Sequence, residues 1–187
     1  MYSHEDFLKI CNIGKSYYKK YNLNEVFIKD FVNNPIIKLD YGYTSEELDI
    51  ISLYYQYIKK DYNLMKKYYL MAISKDNDIS MNNLAYYYQY TEKNYELMKK
   101  YYLMAISKGN NMAMNNLAKY YKDIEKNYDQ MKKYFLMATF KDNSSAMCNL
   151  GYYYECVEKD YDQMKKYYLM AIDKDNDISM NNLACYY

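Results

Sequence analysis

Apolar side chains return along this chain in two short phrases, each with the spacing of one helical face. In one, Met81, Leu84, Ala85 and Tyr88 stand at i, i+3, i+4 and i+7; in the other, Met98, Tyr101, Tyr102 and Ala105 do the same. The first phrase recurs as Met81-Asn-Asn-Leu-Ala85, Met114-Asn-Asn-Leu-Ala118, Met147-Cys-Asn-Leu-Gly151 and Met180-Asn-Asn-Leu-Ala184. The second recurs in phase with it: Met65, Met98, Met131 and Met164 are 33 residues apart, with no insertion between copies. A fixed period of this length is the mark of a repeat architecture. We designate the two predicted helices A and B. A single short amphipathic helix cannot bury its stripe alone, but stacked pairs bury it continuously. The expected fold is therefore all-α, an α–α superhelix of tandem helix-turn-helix repeats.

The punctuation agrees with this reading. The A-to-B turn falls near Glu92-Lys-Asn-Tyr95, and the B-to-A turn in Lys75-Asp-Asn-Asp78, Lys108-Gly-Asn-Asn111, Lys141-Asp-Asn-Ser144 and Lys174-Asp-Asn-Asp177. Lys near the end of helix B suits the negative end of the helix dipole. The Asp, Asn and Gly that follow suit a left-handed terminating residue and then the cap of the next helix. One small residue stands in each stripe: Ala85, Ala118, Gly151 and Ala184 in A, and Ala72, Ala105, Ala138 and Ala171 in B. These let a neighbouring helix approach closely.

The array is expected to span residues 44–187. Thr44-Ser-Glu-Glu47 has capping-box spacing, which makes Glu46 to Ile58 a degenerate first helix A. Residues 1–43 are expected to form an N-terminal helical cap and connector. Ser3 to Lys20 and Asn24 to Val32 read as helices there, the second ended by Asn33-Asn-Pro35. At the other end Tyr187 falls inside a helix A, which leaves the stripe of Met180, Leu183 and Tyr187 unpaired. A short or truncated array accounts for this, as does an end packed on something else, and a homodimer through the open helix is then the simplest partner.

Composition narrows the function. The near-balance of 25 basic and 24 acidic residues argues against a nucleic-acid binder. No apolar run approaches the roughly 20 residues that span a bilayer. His4, Glu5 and Asp6 stand where a secretion signal would be basic and then apolar, so an intracellular, cytoplasmic protein is expected. Cys11, Cys148, Cys156 and Cys185 share no recurring spacing and suit free thiols in a reducing compartment. Cys148 and Cys156 would lie about 12 Å apart along one helix, too far for a disulfide. With His4 the only histidine, no zinc set is available. No Gly-rich phosphate loop, Ser-His set or Cys-His set is present, so neither an enzyme nor a small-molecule cofactor is expected. The 31 Tyr can reflect an A/T-rich genome, an adhesive surface built on rings with a polar tip, or both at different positions.

The string Leu97-Met-Lys-Lys-Tyr-Tyr-Leu-Met-Ala-Ile-Ser-Lys-Gly109, followed by Ala113-Met-Asn-Asn-Leu-Ala-Lys-Tyr-Tyr121, resembles the Sel1-like repeat of the tetratricopeptide superfamily. The resemblance covers about Thr44 to Tyr187. It departs where Met precedes Lys-Lys in place of a small residue, where Asp replaces Gly after helix B in three copies of four, and in a shorter A-to-B loop. These departures bear on superhelical pitch, not on class. The Lys/Asn/Tyr/Ile-rich composition also resembles repeat proteins of giant amoeba-infecting DNA viruses. Some cysteine-rich Sel1-like proteins are associated with β-lactams, but their cysteines recur in every repeat, and these do not.

Comparing the copies with one another separates the fixed positions, which serve the stack, from those free to specify a partner. Tyr86, Lys119, Tyr152 and Cys185 share one changing position on helix A. Gln89, Lys122 and Glu155 share the next, with Tyr90, Asp123 and Cys156 beside them. The resemblance implies that this side of helix A lines a concave groove. Tyr86, Gln89, Tyr90, Lys119, Lys122, Asp123, Tyr152 and Glu155 are therefore the expected protein-binding residues of an adaptor or scaffold, with surface drift as the alternative. A rival reading uses the Lys-Lys pairs (Lys66-Lys67, Lys99-Lys100, Lys132-Lys133, Lys165-Lys166) as a ladder for nucleic acid or an acidic membrane. Asp61, Glu96, Asp129 and Asp162, a turn upstream, are expected to answer most of that charge.

Overall fold

The computed structural model describes residues 42–187; the expected N-terminal cap helices lie outside the described residues. Every regular element among the described residues is helical. The described residues divide into two compact units, 42–84 and 85–187. The first contains α1 (Ser45–Tyr54), a π-helical turn π1 (Tyr55–Lys59), α2 (Tyr62–Ile73) and the first turns of α3 (Asp78–Tyr87). The second continues with π2 (Tyr88–Glu92), α4 (Tyr95–Ser107), α5 (Asn111–Tyr120), π3 (Tyr121–Glu125) and α6 (Tyr128–Thr139). It ends with α7 (Ser144–Tyr153), π4 (Tyr154–Glu158), α8 (Tyr161–Ile172) and α9 (Asp177–Tyr186). Odd-numbered helices are the A helices of the sequence pattern and even-numbered ones the B helices.

Short polar side chains start these helices where the sequence places them. Thr44 forms the full capping box with Glu47. Asp61, Asn94, Asn127 and Asp160 cap the B helices by accepting the N–H three residues on. Asn77, Asn110, Asn143 and Asn176 do the same for the A helices. Each such cap contributes about 1 kcal/mol. The B-to-A turns pass through positive φ at Asp76, Gly109, Asp142 and Asp175. Asp thus takes over the left-handed role of Gly109, and the turn geometry survives the substitution.

The A helices end in a way the periodicity does not announce. α1, α3, α5 and α7 each close with a five-residue π turn and then a left-handed lysine: Lys60, Lys93, Lys126 or Lys159. The carbonyl of the tyrosine opening the turn accepts both the lysine N–H and that of the next residue, as Tyr88 does from Lys93 and Asn94. A left-handed non-glycine residue costs on the order of 1 kcal/mol, and these two bonds offset it.

Both stripes are buried. Met98, Tyr102, Ala105, Leu117, Ala118, Met131, Phe135, Ala138, Leu150, Met164, Tyr168 and Ala171 are out of contact with solvent in the second unit. Removing each large apolar side chain from water stabilises by about 1.5–3 kcal/mol. Within every repeat the tyrosine that opens the π turn lies flat on a helix B tyrosine: Tyr55 on Tyr68, Tyr88 on Tyr101, Tyr121 on Tyr134 and Tyr154 on Tyr167, with centroids 5.5–5.8 Å apart. The second lysine of each pair covers that ring, Lys100 over Tyr101 and Lys133 over Tyr134, at cation–π distance.

Candidate functional site

The residues expected to bind a partner all fall in the second unit, on the A helices and their π turns. Tyr86 and Tyr90, one turn apart, bring their ring centroids to 4.4 Å, and both rings are about half exposed (45% and 52%). Helical spacing puts them on one side, and the buried stripe of α3 holds the other side in place. Burial together with Tyr86 and the carboxylate of Asp123 pushes the Tyr90 phenol above its ordinary value. Asp123, the equivalent of Tyr90 one repeat later, therefore stands close enough for the two to sense each other. Lys122 reaches Asp123 at 3.5 Å, and Lys119 is half-buried. Tyr152 is exposed and forms a side-chain hydrogen bond with Cys156, which raises its phenol. These side chains form a mixed aromatic and charged surface.

Gln89 does not join that surface. It is 6% exposed, and its side-chain oxygen accepts the phenol proton of Tyr102 at 2.8 Å. Glu155, at the same position two repeats on, is half-buried and accepts from Tyr168 at 2.6 Å. Gln56 does this for Tyr69. The three polar side chains satisfy buried phenols that would otherwise lose hydrogen bonds to water, so Gln89, expected among the protein-binding residues, is engaged within its own repeat. Lys122 differs because its helix B counterpart is Phe135, which carries no hydroxyl.

Two exposed residues escape the sequence comparison. Ile124 and Val157 stand out on the π turns beside Asp123 and Cys156. Their signal was one apolar residue directly before the Glu-Lys of the turn. Phe140 is also almost fully exposed, at the end of α6.

The lysine ladder is engaged within the fold. Lys99 pairs with Glu125 of the following repeat and lies over the rings of Tyr120 and Tyr121. Lys132 repeats this with Glu158 and Tyr153. Tyr120 and Tyr153 donate to the same carboxylates, at 3.0 and 2.8 Å. The acid expected a turn upstream, Glu96, adds only a weak attraction to Lys99. The main partner acid comes instead from the next repeat. In α9 the stripe is less covered than in the preceding copies: Met180 and Tyr187 are exposed, while Leu183 is buried.

Among the described residues no group of three or more His, Cys, Asp or Glu side chains could hold a metal ion. No described helix is long and apolar enough to cross a membrane. No protein-family model matches the chain, and no curated protein matches it in sequence. Solved structures do. A Sel1 repeat protein from Oxalobacter formigenes superposes with a TM-score of 0.68 at 18% identity, over 97% of this chain and 78% of its own. The fold is a Sel1-like helical solenoid. A protective antigen of uropathogenic Escherichia coli with an SLR fold gives the same score and identity over 95% of this chain, which spans 40% of that protein's length. The immunity protein Pa5087 of Pseudomonas aeruginosa is similar at a TM-score of 0.52 and 20% identity, over 68% of this chain and 52% of its own. All three are bacterial; at these identities they speak for the Sel1-like solenoid and give no support to the viral likeness in composition.

Proposed function

We propose that this chain is a non-enzymatic interaction module, an adaptor or scaffold that binds a peptide or protein along the open side of its A helices. The contacts fall to Tyr86, Tyr90, Lys119, Lys122, Asp123 and Tyr152, in the groove that this side lines in the tetratricopeptide superfamily. Gln89 and Glu155 serve beneath it by holding Tyr102 and Tyr168. The observation that carries the reading is the Tyr86–Tyr90 pair: two large rings held in contact with each other and left half in solvent. Rigid aromatic rings with a polar tip supply contact area at low entropic cost, which is why they dominate binding energy at protein interfaces. Neighbouring repeats replace the pair with Lys119 and Asp123, then with Tyr152 and Cys156, while the stripes below stay fixed. That is the pattern expected of a scaffold with a variable reading face. None of the similar structures is named as an enzyme. The internal engagement of Lys99 and Lys132 counts against the anionic-ligand reading.

Photo-crosslinking residues placed at Tyr86, Tyr90 and Tyr152, and separately at Lys100 and Leu103 on helix B, test the assignment in cells of the source organism. The reading expects one discrete adduct from the first set and none from the second. Adducts from helix B alone would place the interface on the other side.

A further inference from the structure

We propose that Asp49 is a proton-operated latch of the first described repeat: with its carboxyl protonated it holds α1 against α3 through Ser80 and Asn83, and loss of the proton loosens the pair. Asp49 is 1% exposed. Its Oδ1 accepts the Ser80 hydroxyl at 2.6 Å and the Asn83 amide at 3.4 Å. Its Oδ2 is buried without a hydrogen-bond partner among the described residues. The equivalent position holds Asn82, Asn115, Cys148 and Asn181 in the other copies, an uncharged amide in three of the four. In one of these, Asn115 accepts from Asn149 at 3.2 Å, the same inter-repeat bond that Asp49 accepts from Asn83. An ionisable acid thus stands where the buried Asn82 and Asn115 of the next two copies carry an amide.

A buried carboxylate costs several kcal/mol unless it is paired, and among the described residues no cation answers this one. The charged groups that bear on it are Glu46, on α1 itself, and Asp78, at the start of α3; both are acids. From α2 the packing residues are Leu64, Tyr68, Met71 and Ala72, of which only Tyr68 titrates, and its phenol is raised well away from neutrality. Burial pushes Asp49 up to about 7, against the lowering by Ser80 and Asn83 and with the help of Glu46 and Asp78. The folded value lies above the unfolded one. The latch is therefore at full strength below the ordinary aspartate range, weakens as pH rises from there to about 7, and loses nothing more above that.

The test is a carboxyl carbon NMR titration of Asp49 in the full chain, with amide exchange of residues 45–59 at pH 5.5 and 8.5 in wild type and Asp49→Asn. The latch expects a midpoint near neutrality. It also expects α1 and π1 to exchange about tenfold or more faster at pH 8.5 in wild type, after correction for intrinsic rates, and equally at both pH values in the variant. A midpoint in the ordinary aspartate range would overturn it, even if the variant failed to fold. So would the same pH dependence of exchange in Asp49→Asn.

Discussion

The phenol of Tyr102 donates to the side-chain oxygen of Gln89, 13 residues earlier and on the preceding helix, at 2.8 Å. Burial pushes this phenol above its ordinary value, so it remains a donor at any physiological pH. Gln56 with Tyr69 and Glu155 with Tyr168 repeat the arrangement, and the copy that has Phe135 has Lys122 in place of the acceptor. Acceptor and hydroxyl are kept or lost together. Gln89→Leu should therefore destabilise the chain by about 1–3 kcal/mol, since it leaves a buried hydroxyl unpaired. Adding Tyr102→Phe should recover most of the loss, and urea unfolding of the two single variants and the double variant measures it.

Gly151 takes the place that Ala85, Ala118 and Ala184 hold in the other copies. A Cβ there would lie 2.5 Å from Cδ1 and 2.6 Å from Cε1 of Tyr168, well inside contact distance. The ring, held by its bond to Glu155, has to shift to admit the methyl group. Gly151→Ala should thus destabilise by about 1–3 kcal/mol, although alanine is the better helix former. A thermal melt showing a gain in stability would mean that the α7–α8 contact is looser than the structure has it.

Lys99 holds the Glu125 carboxyl below its ordinary range, and Lys132 does so for Glu158. Both folded values lie below the unfolded one, so the stabilisation is present above the ordinary glutamate range and is lost as pH falls through the folded values. Each pair is about one-third exposed, which limits it to about 0.5–1 kcal/mol and makes it sensitive to salt. Denaturant midpoints measured from pH 7 to pH 3 should fall less steeply in Glu125→Gln than in wild type. The difference between the two should shrink at high salt.

Much of the fold was legible because its signals are local. The 33-residue period, the stripe Met98, Tyr101, Tyr102 and Ala105, and the caps Asn94 and Asn110 each depend on residues within one or two turns. The π turns were not legible, because five residues are too few for the change to i→i+5 bonding to leave an apolar spacing of its own. The candidate face was legible in outline through Tyr86, Tyr90 and Tyr152. The bond from Tyr102 to Gln89 was not legible, because a changing polar side chain looks free until its buried partner is seen, although the matched pair of Lys122 and Phe135 was already in the sequence. The acids opposite Lys99 and Lys132 were sought one turn away, while the fold supplies them from 26 residues on.

The most direct test of the binding face is affinity capture from the source cells with wild-type chain and with Tyr86→Ala/Tyr90→Ala, after circular dichroism has shown both to be equally folded. Both rings are half exposed, so their removal should leave the melting temperature within a few degrees of wild type. The account predicts a discrete partner retained by wild type and reduced at least tenfold with the variant, as truncating central aromatic anchors does. The same partner retained in equal amount by both chains would contradict it.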